Sequence, residues 1–203
     1  MKSFYTSLLL TLVINSIIYS QEFNSNKLIA DIEYLSSDQL EGRFAGTKGE
    51  KAAANYIADR FERLNLKKLS KGYIQNFSFI LPNSPHEGIL YNSYNKDQTD
   101  AINVVGYLDN NRENTIIIGA HYDHIGYGGI YSLDTDRIEK NKIHNGADDN
   151  ASGVALLLNL AERLIKENNS NNNYLFIAFS AEELGLIGSK YFVENPLIDL
   201  KNA

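Results

Sequence analysis

The sequence predicts an α/β fold: a mixed, largely parallel central sheet flanked by helices. Three observations carry this. Ile116-Ile117-Ile118-Gly119-Ala120 and Leu175-Phe176-Ile177-Ala178-Phe179 are apolar runs, and each soon gives way to His, Asp or Glu. Buried strands that deliver polar groups at their C-terminal ends read this way. Such strands alternate with amphipathic helical patterns, as in layered α/β domains. No internal repeat or interdomain linker interrupts the 203 residues, a length that suits one domain.

Composition narrows the class. Hydrophobic residues make up 43% and charged residues 22%, which are globular values. With a net charge of -6 and no basic patch, no nucleic-acid partner is expected. The chain has no cysteine, so disulfides and thiolate ligands are excluded; any metal here must use His and carboxylate.

In chain order, residues 1–20 read as a signal peptide. Lys2 supplies the positive start, Leu8 to Ile18 the mostly apolar stretch, and Ser20 a small residue for cleavage. The stretch is short for a membrane span. Export is the expectation, to a periplasm or the outside, with no membrane attachment after cleavage. Residues 21–203 form the expected domain.

Ser25 to Ser36 and about Lys48 to Leu64 read as helices, the first with Leu28, Ile32 and Leu35 on one face, the second with Ala53, Ile57, Phe61 and Leu64. Between them Leu40-Glu41-Gly42-Arg43-Phe44-Ala45-Gly46-Thr47 is a loop with two glycines. Tyr73 to Ile80 alternates as a strand does, and Pro82, Pro85 and Gly88 then mark a loop in which His86 reads as a surface residue. Asn95 to Asp100 reads as a polar turn and Ile102 to Leu108 as a strand. The turn Asp109 to Asn114 suggests that this strand neighbours Thr115 to Ala120. Asp134 and Asp136 lie in an irregular stretch from Ile125 to Ile143, without the remaining residues of a calcium loop. Ala151 to Lys166 is the clearest helix, with Leu156 and Leu160 widening its apolar stripe. Leu175 to Phe179 reads as a central strand and Leu186 to Glu194 as a last helix, ended by Asn195-Pro196.

Three blocks carry candidate chemistry. His121 ends a strand, and Asp123 stands two residues on, placed to accept the ring's second N–H if the chain stays extended. Asp149 precedes Asn150-Ala151-Ser152-Gly153; it is either a helix cap or a carboxylate able to bridge two metals. Glu182 and Glu183 are adjacent, so both reach one site only where the strand has ended and the backbone turns. One would then bind metal and the other move a proton; the alternative is an acidic helix start. Imidazole and carboxylates suit zinc, which activates water for hydrolysis.

Together, the blocks resemble metallopeptidase family 28, the aminopeptidase S and aminopeptidase Y family of co-catalytic zinc exopeptidases. Leu40-Glu41-Gly42-Arg43 with Gly46-Thr47 also resembles that family's N-terminal motif. The resemblance implies two zinc ions per complete site, with peptide or protein N-termini as substrate. It implies His121 as ligand of one metal, Asp123 as the residue that orients it, and Asp149 as the bridging ligand. Glu182 would be the general base and Glu183 the ligand of the other metal, with a cis peptide between Asp149 and Asn150. Carboxypeptidases, glutaminyl cyclases and metal-free receptors share the scaffold and are the alternatives. Two further ligands that the family pattern requires, an aspartate after a following strand and a late histidine, have no match. Asp199 comes too early, and loop roles are expected for His124 and His144. The domain is therefore expected to be incomplete at its C-terminal side and weak in zinc binding. Leu175 to Phe179 is expected to expose the edge that further strands would cover.

Overall fold

The computed structural model describes residues 25–81, 98–129, 132 and 142–203. The proposed signal peptide, His86, Asp134 and Asp136 lie outside the described residues. Among those described, no helix is long and apolar enough to cross a membrane.

Four helices and four strands organise the described chain. They are α1 (Ser25–Leu35), α2 (Lys48–Arg63), β1 (Ile74–Ile80), β2 (Gln98–Leu108), β3 (Thr115–His121), α3 (Ser152–Lys166), β4 (Asn173–Phe179) and α4 (Ile187–Glu194). The sheet runs β1-β2-β4-β3. It is mixed: β1 pairs with β2 and β2 with β4 antiparallel, whereas β3 and β4 are parallel.

This order corrects two expectations. β2 and β3 are not neighbours, because β4 lies between them; the Asp109–Asn114 connection spans a strand that arrives some sixty residues later in sequence. For the same reason β4 has no open edge: β2 occupies one side and β3 the other, and among the described strands the outer ones are β1 and β3. A third difference is at β2, which begins at Gln98 rather than Ile102. Its polar start pairs with the end of β1, Ile80 opposite Gln98 and Ser78 opposite Asp100.

β4 is buried on both faces, which explains its unbroken apolar run. Tyr174, Phe176 and Ala178 join the main core with Leu35 of α1, Ile57 and Phe61 of α2, and Leu157 and Leu158 of α3. Leu175 and Ile177 face the other way, against Phe192 of α4. Helices thus cover both sides of the sheet. α3 is amphipathic as its spacing predicts, but Leu156 is 55% exposed and lies outside the buried stripe.

The parallel pairing places the site. His121 is opposite Phe179, and the Tyr122 N–H continues the ladder to the Phe179 carbonyl at 2.9 Å. The chain therefore leaves both strands at the same edge, where α/β sheets place their sites.

Candidate functional site

β3 delivers His121 at its last position, and the next residues stay in reach of the end of β4. β4 stops at Phe179. Ala181 then takes a left-handed conformation with φ 54°, and this turn brings Glu182 and Glu183 to the same side as His121. The turn is the geometry that two adjacent glutamates require, since neighbours in an extended strand diverge. Asp149 enters from a third direction, in the Ala147–Ala151 turn that precedes α3. Its peptide bond to Asn150 is cis.

Ligand atoms of His121, Asp149 and Glu183 all lie within 4.8 Å of one another. His121 Nε2 is 3.0 Å from Asp149 Oδ1 and 3.9 Å from Glu182 Oε2. One imidazole and two carboxylates in this arrangement are a donor set that fits zinc. These are three of the groups that the sequence singles out, and Glu182 stands beside them.

Asp123 is 1% exposed and does more than sequence spacing suggests. Its Oδ1 accepts the Glu182 N–H at 3.1 Å and its Oδ2 the Glu183 N–H at 3.3 Å. The carboxylate thus pins the turn that carries both glutamates. Toward His121, the same Oδ1 lies 3.7 Å from Nδ1, while the main-chain oxygen of Asp123 is nearer, at 3.3 Å.

Electrostatics follow from crowding. Burial opposes charge on His121, but Asp123, Glu182 and Asp149 together outweigh it and raise the imidazole pKa to about 9. The carboxylates thus attract positive charge at this point, and zinc binding there would release a proton from His121. Burial also raises the Glu182 pKa, helped by Asp123, Glu183 and Asp149 and opposed by His121.

Three residues around the site carry roles not assigned from the sequence. Arg43 is 1% exposed. Its guanidinium donates to the carbonyls of Tyr122 (2.6 Å), Asn145 (2.7 Å) and Gly146 (2.9 Å), and also to that of Leu35. It thereby clamps the end of α1, the segment after β3 and the turn before Asp149. Burial lowers its pKa to about 10, against the pull of Asp123, Asp149 and Glu183, so it stays charged at neutral pH. Glu50 is the second, a buried carboxylate in the first turn of α2. It accepts from Gly46 N–H, Ile102 N–H and the Ser180 hydroxyl (3.1, 3.1 and 2.6 Å), with the Tyr122 hydroxyl 3.0 Å away. Ser180 starts the Glu182–Glu183 turn, so Glu50 braces it from behind. His124 is the third: expected in a loop role, it sits with Nδ1 2.5 Å from Glu183 Oε1. His144 keeps a loop position, its N–H on the Gly126 carbonyl and its ring 6.5 Å from that of His124.

Known proteins resemble this chain in sequence and in fold. The sequence pattern of peptidase family M28 matches residues 103–203. Aminopeptidase YwaD of Bacillus subtilis is 35% identical over 80 residues, 39% of this chain and 14% of that protein. The chain spans 40% or less of the length of the curated relatives it matches. Among solved structures, a leucine aminopeptidase precursor from Bacteroides thetaiotaomicron superposes with a TM-score of 0.66 at 22% identity, covering 92% of this chain and 62% of that one. A glutaminyl cyclase of the same bacterium gives 0.66 at 22% identity, covering 90% and 60%. The fold is thus that of the zinc-dependent exopeptidases, and the matched pattern contains all three blocks that meet at the strand ends. Residues 103–203 of the chain belong to peptidase family M28.

Proposed function

We propose that the chain supplies the catalytic region of an exported zinc-dependent aminopeptidase that hydrolyses the N-terminal bond of peptides. The observation that carries this reading is the cluster of His121, Asp149 and Glu183 within 4.8 Å, with Glu182 beside it. In this reading His121, Asp149 and Glu183 would hold the zinc, with Asp149 the ligand that two ions would share. Zinc supplies the Lewis acidity that polarises the substrate carbonyl and acidifies water. Glu182 takes the proton from the attacking water and passes it to the leaving amine. Its raised pKa supports that role, because a base must hold the proton long enough to return it. Asp123 fixes His121 and keeps Glu182 and Glu183 in place through their N–H groups. Residues 1–20 serve as the leader for export, and residues 21–203 as the exopeptidase domain.

The test is turnover of aminoacyl-anilides and of short free-amine peptides by a full-length version of the protein, with zinc, with chelator, and after zinc is restored. Loss and recovery with zinc, with release of the first residue, is the expected result. Release from the C-terminus, or conversion of N-terminal glutamine to a cyclic product without hydrolysis, would replace the aminopeptidase reading. Turnover indifferent to chelation would remove zinc from it.

A further inference from the structure

Glu183 is held at both ends. Its backbone N–H is bound by Asp123 Oδ2 at 3.3 Å, and its carboxylate Oε1 lies 2.5 Å from His124 Nδ1. A carboxylate held only by its stem rotates freely and can offer a metal either oxygen or both. One held also at Oε1 has Oε2 left to offer, in one orientation.

His124 is itself fixed. Its N–H donates to the Arg43 carbonyl at 3.3 Å, and the ring lies against Gly146. A Cβ on Gly146 would come within 2.6 Å of the ring, at Cγ, and Gly146 already has a left-handed φ of 59°. The carbonyl of Gly146 is bound by Arg43 at 2.9 Å. The imidazole thus sits between two segments joined by one guanidinium, with little room to swing. Glu183 is also in the metal-ligating cluster, whereas His124 is not.

We infer that His124 is a positioning residue for Glu183: its Nδ1–H occupies Oε1 and leaves Oε2 to the metal in a set direction. This rests on the reading of His121, Asp149 and Glu183 as a zinc site. The hydrogen bond, not a coordination bond from the imidazole, is the contribution.

Side-chain geometry supplies the test. The amide nitrogen of Asn stands where Nδ1 of His stands, while that of Gln lies farther out, near the place of Nε2. Zinc affinity of the whole protein is measured by competition with a chromophoric chelator for wild type, His124→Leu, His124→Asn, His124→Gln and Glu183→Gln, with near-ultraviolet circular dichroism as the check on folding. His124→Leu is expected to lose about 10–100-fold in affinity, the usual cost of removing a ligand's hydrogen-bond partner. His124→Asn is expected to stay within about threefold of wild type, and His124→Gln to resemble Leu. Should the Leu variant not fold, the Asn and Gln pair carries the same comparison. Unchanged affinity in Leu and Gln, beside a loss in Glu183→Gln, overturns the inference and leaves the zinc site standing. A loss in Asn as deep as in Leu, with lower zinc stoichiometry, also overturns it, because His124 would then be a ligand. Affinity indifferent to Glu183→Gln removes the zinc site, and the inference with it.

Discussion

Nη2 of Arg43 donates to the carbonyl of Gly146 at 2.9 Å, which ties a loop near the N-terminus to the turn that presents Asp149. The two are 103 residues apart in sequence. Arg43→Met would leave this carbonyl and those of Leu35, Tyr122 and Asn145 without their donor in a buried place. Buried hydrogen bonds to charged groups are worth about 1.5–3 kcal/mol each and are not additive, so we expect a loss of about 3 kcal/mol or more in urea unfolding. Arg43→Lys should recover only part, because one ammonium cannot reach carbonyls spread around a planar fork. Unfolding midpoints within error of wild type would show that water replaces the guanidinium.

Glu182 and Asp149 should separate by what they remove. In a complete version of the domain, Glu182→Gln is expected to retain zinc and lose about 10²–10⁴-fold in turnover, the range for a general acid–base group. Asp149→Ala is expected to lose zinc itself, measured by metal analysis after gel filtration. Normal turnover in the first variant, or normal zinc content in the second, would undo the respective assignment.

Glu50 gives a pH dependence with a definite sign. Burial raises its pKa above the ordinary 4.5, although bonds from Ser180, Gly46, Tyr122 and Ile102 oppose the shift. A carboxyl raised in the folded state binds its proton more tightly there than in the unfolded chain. Its contribution to stability is therefore present below the unfolded pKa and declines as pH rises through the folded one. Denaturation midpoints from pH 4.5 upward should fall more steeply for wild type than for Glu50→Gln. Parallel profiles would mean that the group does not titrate differently on folding.

The free edge of β3 predicts self-association. Ile116 and Ile117 are 43% and 38% exposed on a strand paired only with β4 among the described strands. Unpaired edges with apolar side chains recruit other strands. Ile116→Lys should lower the sedimentation-average mass at a given concentration. An unchanged mass would show that this edge is not used.

Much of this was legible beforehand because the signals are local. The spacing of Ala53, Ile57 and Phe61 marks α2, and the double-sided burial of Leu175 to Phe179 marks β4. The meeting of His121, Asp149 and Glu183 was expected from the family resemblance; their own sequence left a helix cap open for Asp149 and an acidic helix start for Glu182 and Glu183. The strand order was not. Nothing near Asp109–Asn114 announces that β4 will insert beside β2, because that pairing is decided by surfaces distant in sequence. Glu50 was not singled out, because an acidic residue in the first turn of a helix is ordinary there. Thr47 Oγ1 does accept the Glu50 N–H at 3.3 Å, but the carboxylate turns away to Ile102 and Ser180. Arg43 was named only as part of the N-terminal motif, without a role, because its partners are carbonyls distant in sequence. Gly42 beside it fits the same close packing: its φ is left-handed, and a Cβ there would come 2.6 Å from the His144 carbonyl oxygen.

The clamp at Arg43 and the brace at Glu50 have a consequence for how the molecule is divided. The family pattern begins at Asn103 and takes in every proposed ligand, while Arg43 and Glu50 lie upstream of it. Similarity alone would draw a boundary between the groups that bind and the groups that hold them. A fragment cut there would keep His121, Asp149 and Glu183 and none of their upstream restraints. Within the one chain, the segment that carries Arg43 and Glu50 holds the geometry of the site without contributing a single metal ligand.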